Sequence, residues 1–269
     1  MVLPGRGTTW IWDAPGPPGA PALLLLHGWT ATAALNWFPA LPPLGQRYRV
    51  VAMDLRGHGR GIRSRRRFRL ADCADDAEAL CAVLDLPAVT AVGYSMGGPV
   101  AQLLWRRHRP RVAGMVLCAT ASTFASRKRL VPAVQVFGRS LAVGAGVLPP
   151  SARQELTRRA LPGRLQETSL SAWALAERHS NDLAALIGAG TALNNWSSEP
   201  WLRGIDVPVS VVKTTADSQV PPWRQQQMAD AIPGARVFPV AGDHGACIER
   251  PDLFVPALME ACAAATAPH

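Results

Sequence analysis

Six short, continuously apolar runs separated by helical patterns restrict the fold of this chain more than any other feature. The runs are Ala22–Leu26, Arg49–Met53, Val89–Gly93, Val112–Cys118, Val207–Val212 and Arg236–Val240. Strands with one solvated face alternate apolar and polar residues, whereas continuous runs of this length suit strands that are buried on both faces. The pattern therefore predicts an α/β fold with a mostly parallel sheet flanked by helices.

Amphipathic segments lie between the apolar runs, as strand–helix–strand crossovers require. They are predicted at Ala71–Leu86, Met96–His108, Pro222–Ile232 and Asp252–Ala265. One stretch breaks the alternation, because it holds no convincing strand and is too long for an ordinary loop. Its helical patterns lie near Pro132–Val143, Ala152–Ala160 and Ser169–Gly188. We therefore expect a core formed by residues 1–121 and 201–269, with residues 122–200 inserted as a helical cap.

The charge of the chain is concentrated in one segment. The formal net charge is +9, which taken alone suggests a nucleic-acid partner. Nine arginines and one acid fall between Arg47 and Arg69, and the other 19 basic and 18 acidic residues nearly cancel. No nucleic-acid recognition motif accompanies this segment. Two interpretations remain for Arg56–Arg69: a solvated loop, or a patch that attracts an acidic group such as a carboxylate, a phosphate or an acyl-carrier phosphopantetheine.

The expected compartment is the cytoplasm. The five cysteines form no CxxC pair, which argues against a disulfide framework or a zinc site. Met1 is followed by Val-Leu-Pro-Gly and not by a basic and apolar leader, so no signal peptide is predicted. The apolar run Ala22–Leu26 is far shorter than the roughly 20 residues of a membrane helix. We expect neither a membrane nor a nucleic-acid partner, and either a monomer or a homodimer.

A serine lies between a predicted strand and a predicted helix, in Gly93-Tyr94-Ser95-Met96-Gly97-Gly98. This is the context of a G-x-S-x-G nucleophile elbow, in which small residues permit a tight turn that exposes the serine hydroxyl. A plain glycine-rich turn is the alternative. The pattern predicts Ser95 as a nucleophile.

A serine hydroxyl needs a base to be a good nucleophile, and the base needs an acid to orient it. His244 follows the last predicted strand, and Asp217 follows the strand before it. The carboxyl ends of parallel strands collect the site residues of an open α/β sheet. Asp206 precedes its strand and is expected at the opposite edge, so we predict the set Ser95, Asp217 and His244.

Acyl transfer also needs donors for a developing oxyanion. The backbone N–H of Met96, directly after the nucleophile, is one candidate. The loop after Ala22–Leu26 supplies the other, and Trp29 N–H is predicted for that role. His27 in the same loop is expected to be mainly structural.

The chain resembles members of the α/β-hydrolase superfamily. The resemblance rests on His27-Gly28-Trp29, Asp54-Leu55-Arg56-Gly57-His58-Gly59, the segment 93–98, Asp217 and Gly242-Asp243-His244. It implies an eight-stranded sheet with one antiparallel strand near the N-terminus, and a structural role for the segment 54–59. It also argues against haloalkane dehalogenases and epoxide hydrolases, which carry an aspartate where this chain has Ser95. Small capped esterases, cofactor-free haloperoxidase-like proteins and carbon–carbon bond hydrolases share these motifs.

Aromatic residues near the predicted site are candidates for contacts with an apolar substrate. We predict Trp29, Tyr94, Trp173 and Trp196 as substrate-binding residues. The alternative for each tryptophan is that it packs the cap onto the sheet.

The residues together predict a serine hydrolase that cleaves an ester or related acyl bond of a small, mainly apolar substrate. The mechanism would pass through an acyl-enzyme and need no metal or cofactor. Two alternatives remain. One is a carbon–carbon bond hydrolase, lyase or acyltransferase that uses the same three residues. The other is a non-enzymatic ligand-binding protein on the same fold.

Overall fold

The structure is a computed structural model that describes residues 1–124 and 169–267, together with 148, 149, 152, 155–157 and 159. Across these residues, no helix combines the length and the apolar content that crossing a membrane requires.

A seven-stranded sheet forms the centre of the described structure. After a short ribbon of β1 (Val2–Leu3) and β2 (Gly7–Thr8), the strands are β3 (Ile11–Ala14), β4 (Ala22–Leu26), β5 (Arg49–Met53), β6 (Val89–Tyr94), β7 (Val112–Cys118), β8 (Val209–Thr214) and β9 (Arg236–Val240). Their order is β3-β5-β4-β6-β7-β8-β9, and only β3 is antiparallel to its neighbour. The mostly parallel sheet is confirmed. Its strand number differs from the eight that the resemblance implied, because β1 and β2 pair with each other and not with the sheet.

Four of the six apolar runs have the predicted bounds, and β6 extends one residue further, to Tyr94. Strand β8 begins two residues later than predicted, at Val209. Pro208 has no N–H to give to a ladder, and its carbonyl instead accepts from Met115 N at 2.9 Å.

Helices cover both faces of the sheet. They are α1 (Ala33–Trp37), α2 (Leu41–Gly45), α3 (Leu70–Val83), α4 (Gly97–Arg107), α5 (Ser169–His179), α6 (Leu183–Asn194), α7 (Pro222–Ala231), α8 (Ala246–Glu249) and α9 (Pro251–Thr266). Two apolar clusters result. One joins the sheet to α3, α4 and α7, and the other joins it to α1, α8 and α9 around the buried rings of Trp37 and Phe254.

The helical run predicted near Ser169–Gly188 is two helices. It is interrupted because Asp182 caps α6, its side chain accepting from Ala185 N at 3.2 Å. Helices α5 and α6 lie between β7 and β8 in the chain, inside the segment predicted as a cap. The predicted helix Pro132–Val143 lies outside the described residues, and Ala152–Ala160 is described at only a few positions. The division into core and cap stays a prediction.

The turn between α5 and α6 is fixed to loops of the sheet domain. The side chain of Asn181 accepts from Gly59 N at 2.9 Å and donates to the Thr30 carbonyl at 3.1 Å. The next N–H, that of Asp182, donates to the Gly57 carbonyl at 2.9 Å. The turn is therefore held over the carboxyl edge of the sheet.

A buried ion cluster ties the N-terminal ribbon to α3. The carboxylate of Asp76 is fully buried and contacts the guanidinium groups of Arg6 at 2.6 Å and Arg56 at 2.7 Å. Burial raises the pKa of Asp76, and the hydrogen bonds and charges of both arginines oppose this rise. Asp75, one residue earlier, pairs instead with the exposed Arg107.

We expect Asp76→Ala to destabilise the protein by about 3 kcal/mol, because it leaves two partly buried guanidinium groups without their partner. Asp75→Ala is the matched control, with an expected loss of about 1 kcal/mol or less, because its ion pair is solvent-exposed. Urea unfolding of both variants measures the difference. Equal losses in the two variants would contradict the account.

Candidate active site

The predicted site residues lie at one edge of the sheet, where the parallel strands end. His27, Gly28 and Trp29 follow β4, Ser95 follows β6, Asp217 follows β8 by three residues, and His244 lies beyond β9. The carboxyl edge of an open α/β sheet is where ligand sites of this fold class form.

Ser95 occupies a strained turn between β6 and α4. Its φ of 50° lies in the left-handed region, which non-glycine residues rarely adopt. A Cβ on Gly93 would clash with the Gly97 carbonyl, and a Cβ on Gly97 would clash with the Leu26 carbonyl. Only glycine therefore permits this approach between strand and helix.

Hydrogen bonds hold the backbone of Ser95 on both sides. Its N–H donates to the Cys118 carbonyl at 2.9 Å, and its carbonyl accepts from Thr120 Oγ1 at 2.8 Å and Gly98 N at 3.0 Å. These bonds fix the direction of the Ser95 side chain in a conformation that the residue would not adopt alone.

The structure brings the three predicted side chains together in a hydrogen-bonded chain. The hydroxyl of Ser95 donates to His244 Nε2 at 2.9 Å, and His244 Nδ1 donates to Asp217 Oδ2 at 2.8 Å. Ser95 is 7% exposed and Asp217 4% exposed. This arrangement places a proton acceptor on the hydroxyl and a carboxylate behind the imidazole.

The carboxylate of Asp217 has several further donors. Its Oδ2 accepts from Thr214 Oγ1 at 2.7 Å and from Gln225 Nε2 at 3.2 Å. Its Oδ1 accepts from the N–H groups of Gln219 at 2.9 Å and Val220 at 2.7 Å. Burial alone would raise the pKa of Asp217, but these donors and the adjacent His244 hold it below its ordinary value. The group is therefore ionised at neutral pH.

The loop of His244 is fixed by its backbone. The Tyr94 hydroxyl donates to the His244 carbonyl at 2.6 Å, and Asp243 Oδ1 accepts from His244 N at 2.6 Å. Asp243 also accepts from Ser218 N at 2.7 Å, which joins this loop to that of Asp217. Asp243 positions the loop through backbone N–H groups, and no hydrogen bond joins it to the imidazole.

The two predicted oxyanion donors lie on either side of Ser95. Met96 N is at the start of α4, and Gly28, next to Trp29, is so close that a Cβ on it would lie 3.4 Å from Ser95 Cβ. Among the described residues, neither Met96 N nor Trp29 N donates to a protein acceptor. Both N–H groups are therefore available to a ligand, and their oxyanion role stays a prediction.

Three supporting residues escaped the sequence analysis. Asn36 Oδ1 accepts from Gly28 N at 2.9 Å and so fixes the loop that carries Trp29. Thr214 and Gln225 bind the Asp217 carboxylate. No sequence signal marks them, because each is a polar residue within a helix or strand, and the residue type alone does not indicate which group it binds.

Tyr94, which was predicted as a substrate-binding residue, is buried. It is 3% exposed, its hydroxyl is bound to the His244 carbonyl, and its ring packs edge-on against Trp37 and Phe254. Side chains alternate across a strand, so Tyr94 points to the opposite face of the sheet from its neighbour on β6. These contacts give Tyr94 a supporting role for the His244 loop, and its contact with a substrate stays a prediction.

The three predicted tryptophans differ in exposure. Trp29 is 42% exposed, and its Nε1 donates to the Leu186 carbonyl on α6 at 3.0 Å. Trp173 is half-buried and packs edge-on against Phe38, with ring centroids 5.3 Å apart. Trp196 packs edge-on against Trp201 at 6.0 Å. Contact of these rings with a substrate stays a prediction.

The segment 54–59 has the structural role that the resemblance implied. The buried Asp54 carboxylate accepts from Ala33 N and Arg60 N, each at 2.8 Å. Burial raises the pKa of Asp54, and these N–H groups oppose the rise. Leu55 N donates to His27 Nε2 at 2.9 Å, which joins this segment to the loop after β4.

Comparison with known proteins agrees with this architecture. The family model described as alpha/beta hydrolase fold matches residues 21–251. An enol-lactonase from Burkholderia xenovorans LB400 superposes with a TM-score of 0.77 at 24% sequence identity, covering 95% of this chain and 96% of that one. At this identity the superposition shows the fold alone.

Two curated relatives illustrate the range of similar sequences. The magnesium-chelatase 30 kDa subunit of Rhodobacter capsulatus is 40% identical over 108 residues, which is 39% of this chain and 37% of that protein. The first relatives are thus matched over less than two thirds of their own length. A pimeloyl-[acyl-carrier protein] methyl ester esterase from Aeromonas hydrophila is 29% identical over 87% of this chain and 92% of its own length.

Two buried histidines beside the site predict a loss of stability in acid. Burial lowers the pKa of His27 to about 4, and burial with the nearby His27 lowers that of His58 to about 3. Both lie below the ordinary value of about 6.5, so the unfolded chain binds protons that the folded chain does not. As the pH drops below 6.5, we expect each of the two histidines to lower the free energy of unfolding by about 1.4 kcal/mol per pH unit. Urea unfolding between pH 7 and pH 5 measures it.

His58→Gln tests the source of this pH dependence, because glutamine can donate to the Arg56 carbonyl, as His58 Nδ1 does, without titrating. We expect its stability to fall less steeply with pH than that of the wild type. Phe68→Leu, which removes a ring beside His58, is the matched control and is expected to keep the wild-type slope. An unchanged slope in His58→Gln would refute the assignment.

Proposed function

We propose that this chain, which belongs to the alpha/beta hydrolase fold family, is a serine hydrolase that cleaves an ester or related acyl bond through an acyl-enzyme. Family membership and the esterase among its relatives support hydrolase activity in general. The observation that carries the finer proposal is the hydrogen-bonded chain from Ser95 through His244 to Asp217.

In the first step, Ser95 Oγ attacks the acyl carbonyl while His244 Nε2 accepts the hydroxyl proton. The ionised Asp217 holds Nδ1–H, so that Nε2 is the free acceptor, and stabilises the imidazolium that forms. His244 then gives its proton to the leaving group, and the acyl group remains on Ser95.

The negative charge of the tetrahedral intermediate needs donors that are already in place. The free N–H groups of Met96 and Trp29 would provide them, and the positive end of α4 points to the same position. Asn36 would keep the Trp29 loop at the required distance by holding Gly28 N. In the second half, water attacks the acyl-enzyme with His244 as the base.

The proposed substrate is a small, mainly apolar acyl compound. The exposed ring of Trp29 lies directly beside the proposed oxyanion donor, which supports an apolar contact near the reacting carbonyl. The α5–α6 turn is fixed to the loops around the site, which supports a role of this segment as a cap.

We expect Ser95→Ala to lower kcat for short p-nitrophenyl esters by about 10⁴-fold or more, because it removes the nucleophile. Ser210→Ala is the matched control: Ser210 is buried on β8, and its hydroxyl has no partner among the described residues. Circular dichroism checks that both variants fold. Undiminished turnover in Ser95→Ala would exclude the mechanism.

Asp217→Asn is expected to lower kcat by about 10³–10⁴-fold with little change in KM, because an amide cannot hold the imidazole in the required tautomer. The same replacement at Asp243 changes a neighbouring carboxylate that does not touch the ring, so the expected loss is much smaller. Steady-state kinetics of both variants measure this split. Similar losses in the two would argue that Asp217 acts only through the loop.

A further inference from the structure

The arginine loop, residues 63–69 between β5 and α3, is the part of the charged segment that the proposed reaction does not use. Other arginines of the segment have structural partners. Arg56 pairs with Asp76, and Arg60 lies 4.2 Å from the ring centre of Trp10. Arg63 donates to the carbonyls of Gly57, Gly59 and Ser180.

The remaining arginines of this loop face solvent. Arg65, Arg66, Arg67 and Arg69 are all exposed, and none contacts a carboxylate among the described residues. Helix α3, which follows the loop, carries four acids, and three of them, Asp75, Asp76 and Glu78, already pair with arginines outside the loop, whereas Asp72 is the fourth. Glu177 of α5 and Asp182 at the start of α6 lie beside the turn that Arg63 contacts. Glu177 is already bound by Thr32 Oγ1 at 2.5 Å and faces Arg60. The surface therefore keeps a positive excess.

Contacts at both ends fix the base of the loop. At one end Arg63 binds the Ser180 carbonyl at 2.8 Å, next to the α5–α6 turn. At the other end Phe68 is 6% exposed and packs against the His58 ring. The exposed guanidinium groups thus project from a defined base, and less conformational entropy is lost when they bind a ligand.

The arginine loop and the proposed site contact the same turn of α6. Phe68 packs against Gly188, where an added Cβ would lie 2.9 Å from Phe68 Cβ. Trp29 binds the Leu186 carbonyl, and its ring lies against Gly190. The base of the arginine loop and the residue beside the Ser95 loop are therefore both packed on one turn of α6.

We propose that the arginine loop binds an anionic group of the substrate, a carboxylate or phosphate at the end of the substrate away from the reacting carbonyl. This inference rests on the proposed function and adds a substrate class to it. Guanidinium groups bind carboxylates and phosphates through paired N–H donors. A positive patch beside the site also raises the encounter rate with an anion, an effect that salt suppresses.

Two esters that differ only in one charge test the proposal. The p-nitrophenyl ester of octanoate is neutral, and the mono-p-nitrophenyl ester of suberate carries a terminal carboxylate on a chain of equal length. The readout is the ratio of kcat/KM for the suberate ester to that for the octanoate ester. In the variant with Arg65→Glu, Arg66→Glu and Arg67→Glu, we expect this ratio to fall about tenfold at low salt and less at high salt.

The control variant carries Arg47→Glu, Arg203→Glu and Arg236→Glu, which change the net charge equally at exposed positions before β5, before β8 and at the start of β9. We expect it to keep the wild-type ratio. A ratio that stays constant in the arginine-loop variant, or falls equally in both variants, overturns the proposal.

Equilibrium binding of suberate, measured by calorimetry, separates this inference from the proposed function. If the wild type hydrolyses neither ester, the proposed function fails. Suberate binding that weakens only in the arginine-loop variant still supports the anion site. Equal suberate binding by the wild type and both variants refutes it.

Discussion

The geometry of the site depends on one close contact, the packing of the first turn of α4 against the ends of β4 and β6. Gly93 and Gly97 leave no space for a Cβ at this contact. The approach brings Ser95 next to the loop of Trp29, where a Cβ on Gly28 would lie 3.4 Å from Ser95 Cβ. A larger residue at either glycine would push these groups apart. Displacements of about 1 Å between reacting groups are enough to lower the reaction rate strongly. The strain at Ser95, with φ of 50°, is maintained by the hydrogen bonds on either side of it.

Two buried carboxylates show how their surroundings determine charge. Asp217 accepts from two backbone N–H groups, a hydroxyl, an amide and His244, and its pKa is lowered. Asp54 accepts from two backbone N–H groups, and its pKa is raised. Desolvation acts on both, so the number and charge of the donors decide the direction. The fold thus keeps Asp217 ionised beside His244, whereas Asp54 holds the backbone of the loops next to it.

Periodicity and motif order predicted the sheet and the convergence of Ser95, Asp217 and His244, because parallel strands deliver their following residues to one edge. Local patterns could not locate supporting contacts that join distant parts of the chain, such as Trp29 with Leu186. The burial of Tyr94 against Trp37 and Phe254 could not be predicted from the motif, because it depends on contacts with helices from other parts of the chain. The interruption at Asp182 was missed although its cap on Ala185 N is a local contact, whereas the bonds that fix this turn to Gly57 and Gly59 join it to another loop.

The fixed turn between α5 and α6 also has a consequence for how the chain folds. The stretch that leaves the sheet after β7 and returns at β8 is tied to the sheet domain at its two ends and again about two thirds of the way along, through Asn181 and Asp182. The entropic cost of closing a loop grows only with the logarithm of its length, so a few such bonds suffice to divide a long excursion into two shorter ones. The α5–α6 pair is thereby coupled to the stability of the sheet and belongs to the same cooperative unit. A graft or exchange of this stretch between related proteins has to carry the turn and its partners together.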